Sequence, residues 1–361
     1  MTLDTLTSPV PELLERFRAR KRVALARAIS MVEDGRPGFE AVLHELHPQM
    51  GRAPRIGLTG PPGSGKSTLT SRLAVALRER GQTVGVVAVD PSSPFTGGAL
   101  LGDRIRMNNV STDPGVFIRS MATRGSLGGI ATTTKEAADL LDAYGFDRVI
   151  LETVGVGQSE LEIAGTADTT VVVLVPESGD SIQAMKAGLM EIADIFVINK
   201  ADRPGADRLA QEIEVMLHMR LGDGVPAAAG HHGVSLKSVG RAARERSQQK
   251  AEEQGGWSIP VLRTVAQSGE GVDELLRTLD RHAEYLEGSG ELVRRREARY
   301  TERVRAVVDR RLQRLAWADG RGEAMLQEAL PALLSGAESP YATAARIVRA
   351  LGVKTQAETT E

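Results

Sequence analysis

Residues Gly60–Thr68 read GPPGSGKST and follow the apolar run RIGLT. The stretch fits G-x-x-x-x-G-K-[ST]: Gly60, Pro61, Pro62, Gly63, Ser64 and Gly65 shape a loop, Lys66 brings a cation, and Ser67 and Thr68 bring hydroxyls. Glycines let backbone N–H groups turn inward around phosphate oxygens, and the start of a following helix adds its positive end. In such a loop the lysine reaches β- and γ-phosphates and the serine hydroxyl binds Mg²⁺. The run TLTSRLAVALRERG behind the loop has helical spacing, so the motif sits between a strand and a helix.

A second group addresses the base. FVINKAD ends an apolar run with Asn199, Lys200, Ala201 and Asp202. In N-K-x-D the carboxylate of Asp202 accepts hydrogen bonds from guanine N1–H and the guanine 2-amino group. Adenine offers neither donor, and a site built on such a group discriminates by roughly 10⁴-fold or more. Asn199 and the Lys200 stem would brace the loops under the base. A later run, TVAQSGEG, places Val265, Ala266 and Gln267 where a third base-contacting loop is expected.

Phosphoryl chemistry also needs carboxylates for a metal. Glu152 in VILETVGVGQSE ends a strand and begins a D-x-x-G-like sensor with Glu in place of Asp. Its Gly155 N–H is suited to a γ-phosphate contact that vanishes on hydrolysis. Asp90 in VVAVDPSSP and Asp103 in GDRIRM are further oxygen donors. Any of the three suits Mg²⁺, directly or through water, and each could instead cap a helix. Gln158 and Gln183 are both of a type that orients an attacking water.

Seven short β-branched runs must carry these loops: RIGLT, TVGVVAVD, GVFIRS, DRVILET, TTVVVLVP, DIFVINK and PVLRTVA. They alternate with amphipathic stretches, which predicts an α/β fold with a mostly parallel sheet covered on both faces. Residues 1–51 read as a helical extension, where Leu13, Leu14, Phe17, Val23, Leu25, Ala28, Ile29 and Val32 recur at helical spacing. Residues 52–287 form the nucleotide-binding domain, with a polar, Gly/Ala-rich insertion near 222–257. Residues 288–361 read as a helical arm. Its Val304, Val307, Val308, Leu312 and Leu315 make a stripe that needs a cover, from a second copy or from the chain's own nucleotide-binding domain.

Composition closes several routes. There is no Cys, which excludes disulfides, thiolate zinc sites and cysteine nucleophiles. The adjacent His231 and His232 suggest a metal site, but with no Cys and no further His nearby ligation is not expected. A net charge of −2 gives no global attraction to nucleic acid or anionic membranes. No apolar run is long enough to span a bilayer, and the first residues lack the pattern of a secretory signal. A cytoplasmic location is the expectation.

The matched segments resemble one family, the methylmalonyl-CoA mutase-associated GTPases of the MeaB, ArgK and MMAA type. GLTGPPGSGKSTL, VAVDPSSPFTGGALLGDRIRM, FIRSMATRGSLGG, ETVGVGQSE, VPESGDSIQAMKAGLMEIADIFVINKAD and LRTVAQSGEG carry the resemblance from about Arg22 to Leu286. It implies a P-loop GTPase domain flanked by an N-terminal helical extension and a C-terminal dimerisation arm, and hence a homodimer. It implies that Gly60–Thr68 hold phosphates, that Ser67 with Asp90, Asp103 and Glu152 serves Mg²⁺, and that Asn199–Asp202 with Val265–Gln267 hold the guanine of GTP or GDP. It implies a switch in SGDSIQAMKAG, with polar members Asp180, Gln183 and Lys186, that contacts an adenosylcobalamin-dependent acyl-CoA mutase. The activity so implied is slow GTP hydrolysis, with Lys66 and Glu152 at the reacting phosphate, stimulated by the mutase and gating its cofactor loading. Two alternatives share the fold class. A transport-protein kinase would favour ATP, against N-K-A-D. A nickel metallochaperone would need Cys or clustered His.

Overall fold

A computed structural model describes residues 9–90, 108–122, 132–153, 162–176, 188–220 and 256–352. The chain forms two compact units, Met1–Arg296 and Glu297–Glu361. The first is built on seven strands: β1 (Arg55–Thr59), β2 (Val84–Asp90), β3 (Val116–Ala122), β4 (Arg148–Glu152), β5 (Thr169–Leu174), β6 (Ile195–Asn199) and β7 (Val261–Thr264). They pair in the order β3-β2-β4-β1-β5-β6-β7, and every pairing is parallel. All seven predicted strands are present, and the fold is the predicted α/β type.

Alternate residues of the strands enter different cores, as the two-residue period demands. On one face α4 (Lys66–Glu79) and α7 (Val272–Gly288) bring Leu69, Leu73, Leu275 and Leu279 against Leu58, Ile150, Val171 and Val197. The opposite face is shared. Helices α2 (Arg22–Glu33) and α5 (Thr132–Tyr144) bring Leu25, Ile29, Leu140 and Leu141 against Val87, Val89, Val149 and Leu151. Helix α6 (Ala206–Arg220) brings Leu209, Ala210 and Ile213 against Val172, Leu174, Phe196 and Ile198. Burial on both faces explains why β1, β5 and β6 are buried along their whole length and apolar in their middle residues, with polar side chains only at their ends.

The helical spacing from Leu13 to Val32 does not form one continuous helix: the chain breaks into α1 (Pro9–Arg18) and α2, and a separate short helix, α3 (Phe39–Leu46), follows. Arg20 takes a left-handed φ of 57° at the break. Tyr144 of α5 holds it there: its hydroxyl donates to the Arg20 carbonyl, and its ring meets Phe17 edge-on and lies 5.4 Å from the Arg20 guanidinium. The break rotates the faces, so Val23 is 57% exposed instead of joining the core.

The unit Glu297–Glu361 is helical, as expected for this region. It holds most of α8 (Glu291–Trp317), then α9 (Arg321–Ser335) and α10 (Pro340–Ala350). Val304, Val308, Leu312 and Leu315 of the predicted stripe are exposed. Among the described residues no helix is long and apolar enough to cross a membrane.

Buried carboxylates organise the amino edge of the sheet. Asp142 accepts from the Gly51, Arg52 and Ala53 N–H groups and from Arg55 Nη2. Asp168 accepts from the Arg55 N–H at 2.9 Å. Asp194 accepts from the Thr170 N–H and from both terminal nitrogens of Arg295, each at 2.8 Å. Beside it His282 is fully buried, with Nδ1 2.8 Å from Thr169 Oγ1.

Burial pushes the His282 ring down to about 4, against the pull of Asp194. The ring is therefore neutral at pH 7, and its 3.4 Å approach to Asp194 Oδ1 is not an ion pair there. Unfolded, a histidine titrates near 6.5. Between these values the unfolded chain binds the extra proton, so this contribution to stability is complete above about pH 6.5 and is lost as pH falls towards 4. Urea unfolding should show wild type losing on the order of 3 kcal/mol more than His282→Gln across that window. Parallel pH profiles for the two proteins would exclude the neutral buried ring.

Candidate nucleotide-binding site

The phosphate loop leaves the carboxyl end of β1, and its neighbours enforce its shape. Gly60 has φ +132°, and a Cβ there would lie 2.1 Å from the Val173 carbonyl oxygen. Gly65 has φ +88°, and a Cβ there would lie 2.3 Å from Asn199 Nδ2. Both positions therefore need glycine for space as well as for conformation. Lys66 is buried, and its Nζ donates to the Gly60 and Pro61 carbonyls at 2.8 and 3.0 Å. The loop thus keeps its cation at the start of α4, beside N–H groups that have no helical acceptor. Pro61, Pro62, Gly63 and Ser64 complete the turn, closed by the Ser64 N–H donating to the Pro61 carbonyl at 3.2 Å. Thr68 follows on the first turn of α4.

A second cluster lies behind the loop. Ser67 Oγ donates to Glu152 Oε1 at 2.5 Å, and Thr70 Oγ1 donates to Glu152 Oε2 at 2.9 Å. Glu152 and Ser67 are both buried. Thr153 fixes the carboxylate's height: its N–H donates to the Leu58 carbonyl at 3.1 Å and its hydroxyl to Thr59 Oγ1 at 3.1 Å. The end of β4 is thereby tied to the end of β1. A hydroxyl and a carboxylate, with no nitrogen or sulfur, fit a hard cation such as Mg²⁺. Asp90 ends β2, but its side chain lies outside the described residues, as do Asp103, Gly155, Gln158, Asp180, Gln183, Lys186, His231 and His232.

The base-reading candidates converge on one buried carboxamide. Asn199, 2% exposed, donates from Nδ2 to the Ser64 carbonyl at 2.8 Å. Its Oδ1 accepts from the Ala266 N–H at 3.0 Å and from Thr264 Oγ1 at 3.2 Å. One side chain therefore joins the phosphate loop, the end of β6 and the loop after β7. Lys200 turns the chain with a left-handed φ of 56°, and the Ala201 N–H donates to the Thr264 carbonyl at 3.0 Å. Asp202 is exposed just beyond this turn. Val265, Ala266 and Gln267 form a tight loop, closed by the Val265 N–H donating to the Glu270 carbonyl at 3.0 Å.

Two residues here were not singled out from the sequence. Thr70 lies one turn after Ser67, and that spacing puts both hydroxyls on one helix face, a signal that was available. Arg72 belongs to no motif. Its Nε donates to the Ala266 carbonyl at 3.0 Å, and its Nη2 donates to the Gln267 carbonyl.

A parallel sheet with a phosphate loop on its central strand, at the point where the strand order turns, defines the P-loop α/β class. The chain belongs to the family described as Methylmalonyl Co-A mutase-associated GTPase MeaB, whose sequence model matches residues 25–321. A protein of Pyrococcus horikoshii with a provisional GTPase description is 46% identical over 300 residues, covering 83% of this chain and 86% of its own. The GTPase ArgK of Escherichia coli is 33% identical over 334 residues, covering 91% and 92%. A crystal structure of a LAO/AO transport system kinase aligns with a TM-score of 0.62 at 25% identity, covering 97% of this chain and 99% of that one.

The Asn199 carboxamide makes a prediction independent of any ligand. Asn199→Ala strands a buried carbonyl and a buried N–H, each costing about 1–3 kcal/mol. Urea unfolding of the ligand-free protein should show a loss of about 2–4 kcal/mol. A loss below about 0.5 kcal/mol would mean that the carboxamide does not hold the loops together.

Proposed function

We propose that the chain is a Mg²⁺-dependent GTP-binding and GTP-hydrolysing switch that chaperones an adenosylcobalamin-dependent acyl-CoA mutase. The observation that carries the reading is the Asn199 bridge, which joins the phosphate loop to both candidate base loops by hydrogen bonds. A site that must read a phosphate chain and a base together needs such a joint.

In this reading Lys66 turns from the loop carbonyls to the β- and γ-phosphates. Ser67 and Glu152 would hold Mg²⁺, which would supply neutralisation of the phosphate charge. Lys66 and Glu152 thus sit beside the reacting phosphate, where positioning and charge account for most of the rate. Asp202 accepts from guanine N1–H and the 2-amino group. Val265, Ala266 and Gln267 cover another edge of the base. Gly155 would sense the γ-phosphate, and Asp90 and Asp103 would serve the same Mg²⁺, directly or through water.

The family's description supports the mutase as partner. Asp180, Gln183 and Lys186 are the residues assigned to that contact. The exposed apolar residues Val304, Val308, Leu312 and Leu315 support a homodimer, since a second copy would cover them.

Calorimetry should show GDP binding at least about 10³-fold more tightly than ADP. Asp202→Asn should weaken GDP and admit the xanthine nucleotide, whose 2-oxo group accepts where guanine donates. Equal affinity for GDP and ADP would exclude the guanine assignment. A second assay addresses the partner: phosphate release from GTP, measured with and without methylmalonyl-CoA mutase. Stimulation is expected in wild type and reduced in Gln183→Ala/Lys186→Ala at unchanged GDP affinity. Absence of stimulation by that mutase and by related cobalamin-dependent mutases would remove the partner.

A further inference from the structure

We infer that Arg72 is a positioning residue for base recognition, one that sets the loop after β7 so that the Gln267 N–H faces the 6-oxo edge of the purine. The inference rests on the guanine reading above and names a residue outside its motifs.

Arg72 lies five residues after Ser67 on α4, about 7.5 Å further along the helix axis. Its guanidinium meets two consecutive carbonyls, those of Ala266 and Gln267, through Nε and Nη2. A planar guanidinium has these two donors in fixed relation, so it sets the orientation of both peptides. The remaining groups of the loop are mostly taken. The Ala266 N–H goes to Asn199 Oδ1, and the Ser268 and Gly269 N–H groups go to the Val265 carbonyl at 3.0 and 2.9 Å. Among the described residues the Gln267 N–H has no acceptor.

In a trans peptide the C=O and the following N–H point in opposite directions. Holding the Ala266 carbonyl towards α4 therefore aims the Gln267 N–H away from α4. A donor so directed complements an oxo group and opposes an amino group. Guanine and hypoxanthine carry the 6-oxo group, whereas adenine carries an amino group there. Arg72 thus acts on the 6-position, while Asp202 acts on positions 1 and 2. The helix that holds the phosphates is also the helix that sets the base loop.

The two contributions separate by nucleotide. Stopped-flow release of fluorescent GDP and IDP from the full chain is compared for wild type, Arg72→Ala and Arg72→Lys, with ADP affinity measured alongside. Arg72→Ala should release GDP and IDP about tenfold faster, by the same factor. Association rates should stay within about twofold, and ADP affinity should not fall. Arg72→Lys keeps one donor without the planar pair and should fall between. Asp202→Ala should instead penalise GDP more than IDP, because IDP lacks the 2-amino group. An unchanged melting temperature of ligand-free Arg72→Ala, or of Arg72→Lys where the alanine variant fails to fold, keeps the comparison valid. Unchanged GDP release in a protein that prefers GDP over ADP overturns the Arg72 role alone. Equal weakening of GDP and ADP also overturns it, because that is a phosphate or folding effect. Equal wild-type affinity for GDP and ADP overturns both this inference and the guanine reading.

Discussion

The carboxamide of Asn199 is the joint on which the site depends. Strands β1 and β6 are not neighbours; β5 lies between them. Two strand spacings, about 10 Å, therefore separate the roots of the phosphate loop and of the N-K-A-D turn. Asn199 closes that gap with a 2.8 Å bond to the Ser64 carbonyl, and its other end holds the loop after β7. Because it is buried, each of its hydrogen bonds is costly to lose. The close approach also explains Gly65, since any side chain there would collide with the carboxamide.

A joint of this kind needs a stiff frame, and the sheet supplies one from both edges. At the carboxyl edge, Glu152 is held by Ser67 and Thr70, and Thr153 registers β4 against β1. At the amino edge, Asp142, Asp168 and Asp194 tie strand starts to adjoining chain, with Arg55 and Arg295 as partners. Burial alone would oppose the Arg295 charge; the hydrogen bonds and charge of Asp194, with help from Glu291, outweigh it and raise its pKa. Asp142 and Asp194 stay charged in the interior because each has both an arginine and backbone N–H groups to bind.

Much of this was legible in the sequence, for a definable reason. Strands and the phosphate loop are encoded locally: RIGLT followed by GPPGSGKST carries its own periodicity, turn chemistry and helix start. The carboxyl ends of β4 and β6 placed Glu152 and Asn199 correctly because a strand's end is marked by its last apolar residue. What was not legible depends on residues distant in sequence. The break at Arg20 is imposed by Tyr144, 124 positions away, and moves Val23 out of the core. The contact of Arg72 with Ala266 spans 194 positions. The carboxylates at the amino edge look like ordinary surface aspartates until the sheet brings their partners to them. Membership of the GTPase family is likewise read from the whole matched span, residues 25–321, more than from any one motif.

Loops joined through Asn199 should respond together when a guanine nucleotide binds. Hydrogen exchange on the full chain, ligand-free and with Mg²⁺ plus GDP or ADP at equal concentration, tests this directly. With GDP, amides in Gly60–Thr68, Asn199–Asp202 and Val265–Gln267 should gain protection together, and ADP should produce little change in any of them. Equal protection by both nucleotides, or protection of Gly60–Thr68 with no change in the other two segments, would show that the loops do not act as one guanine-reading unit.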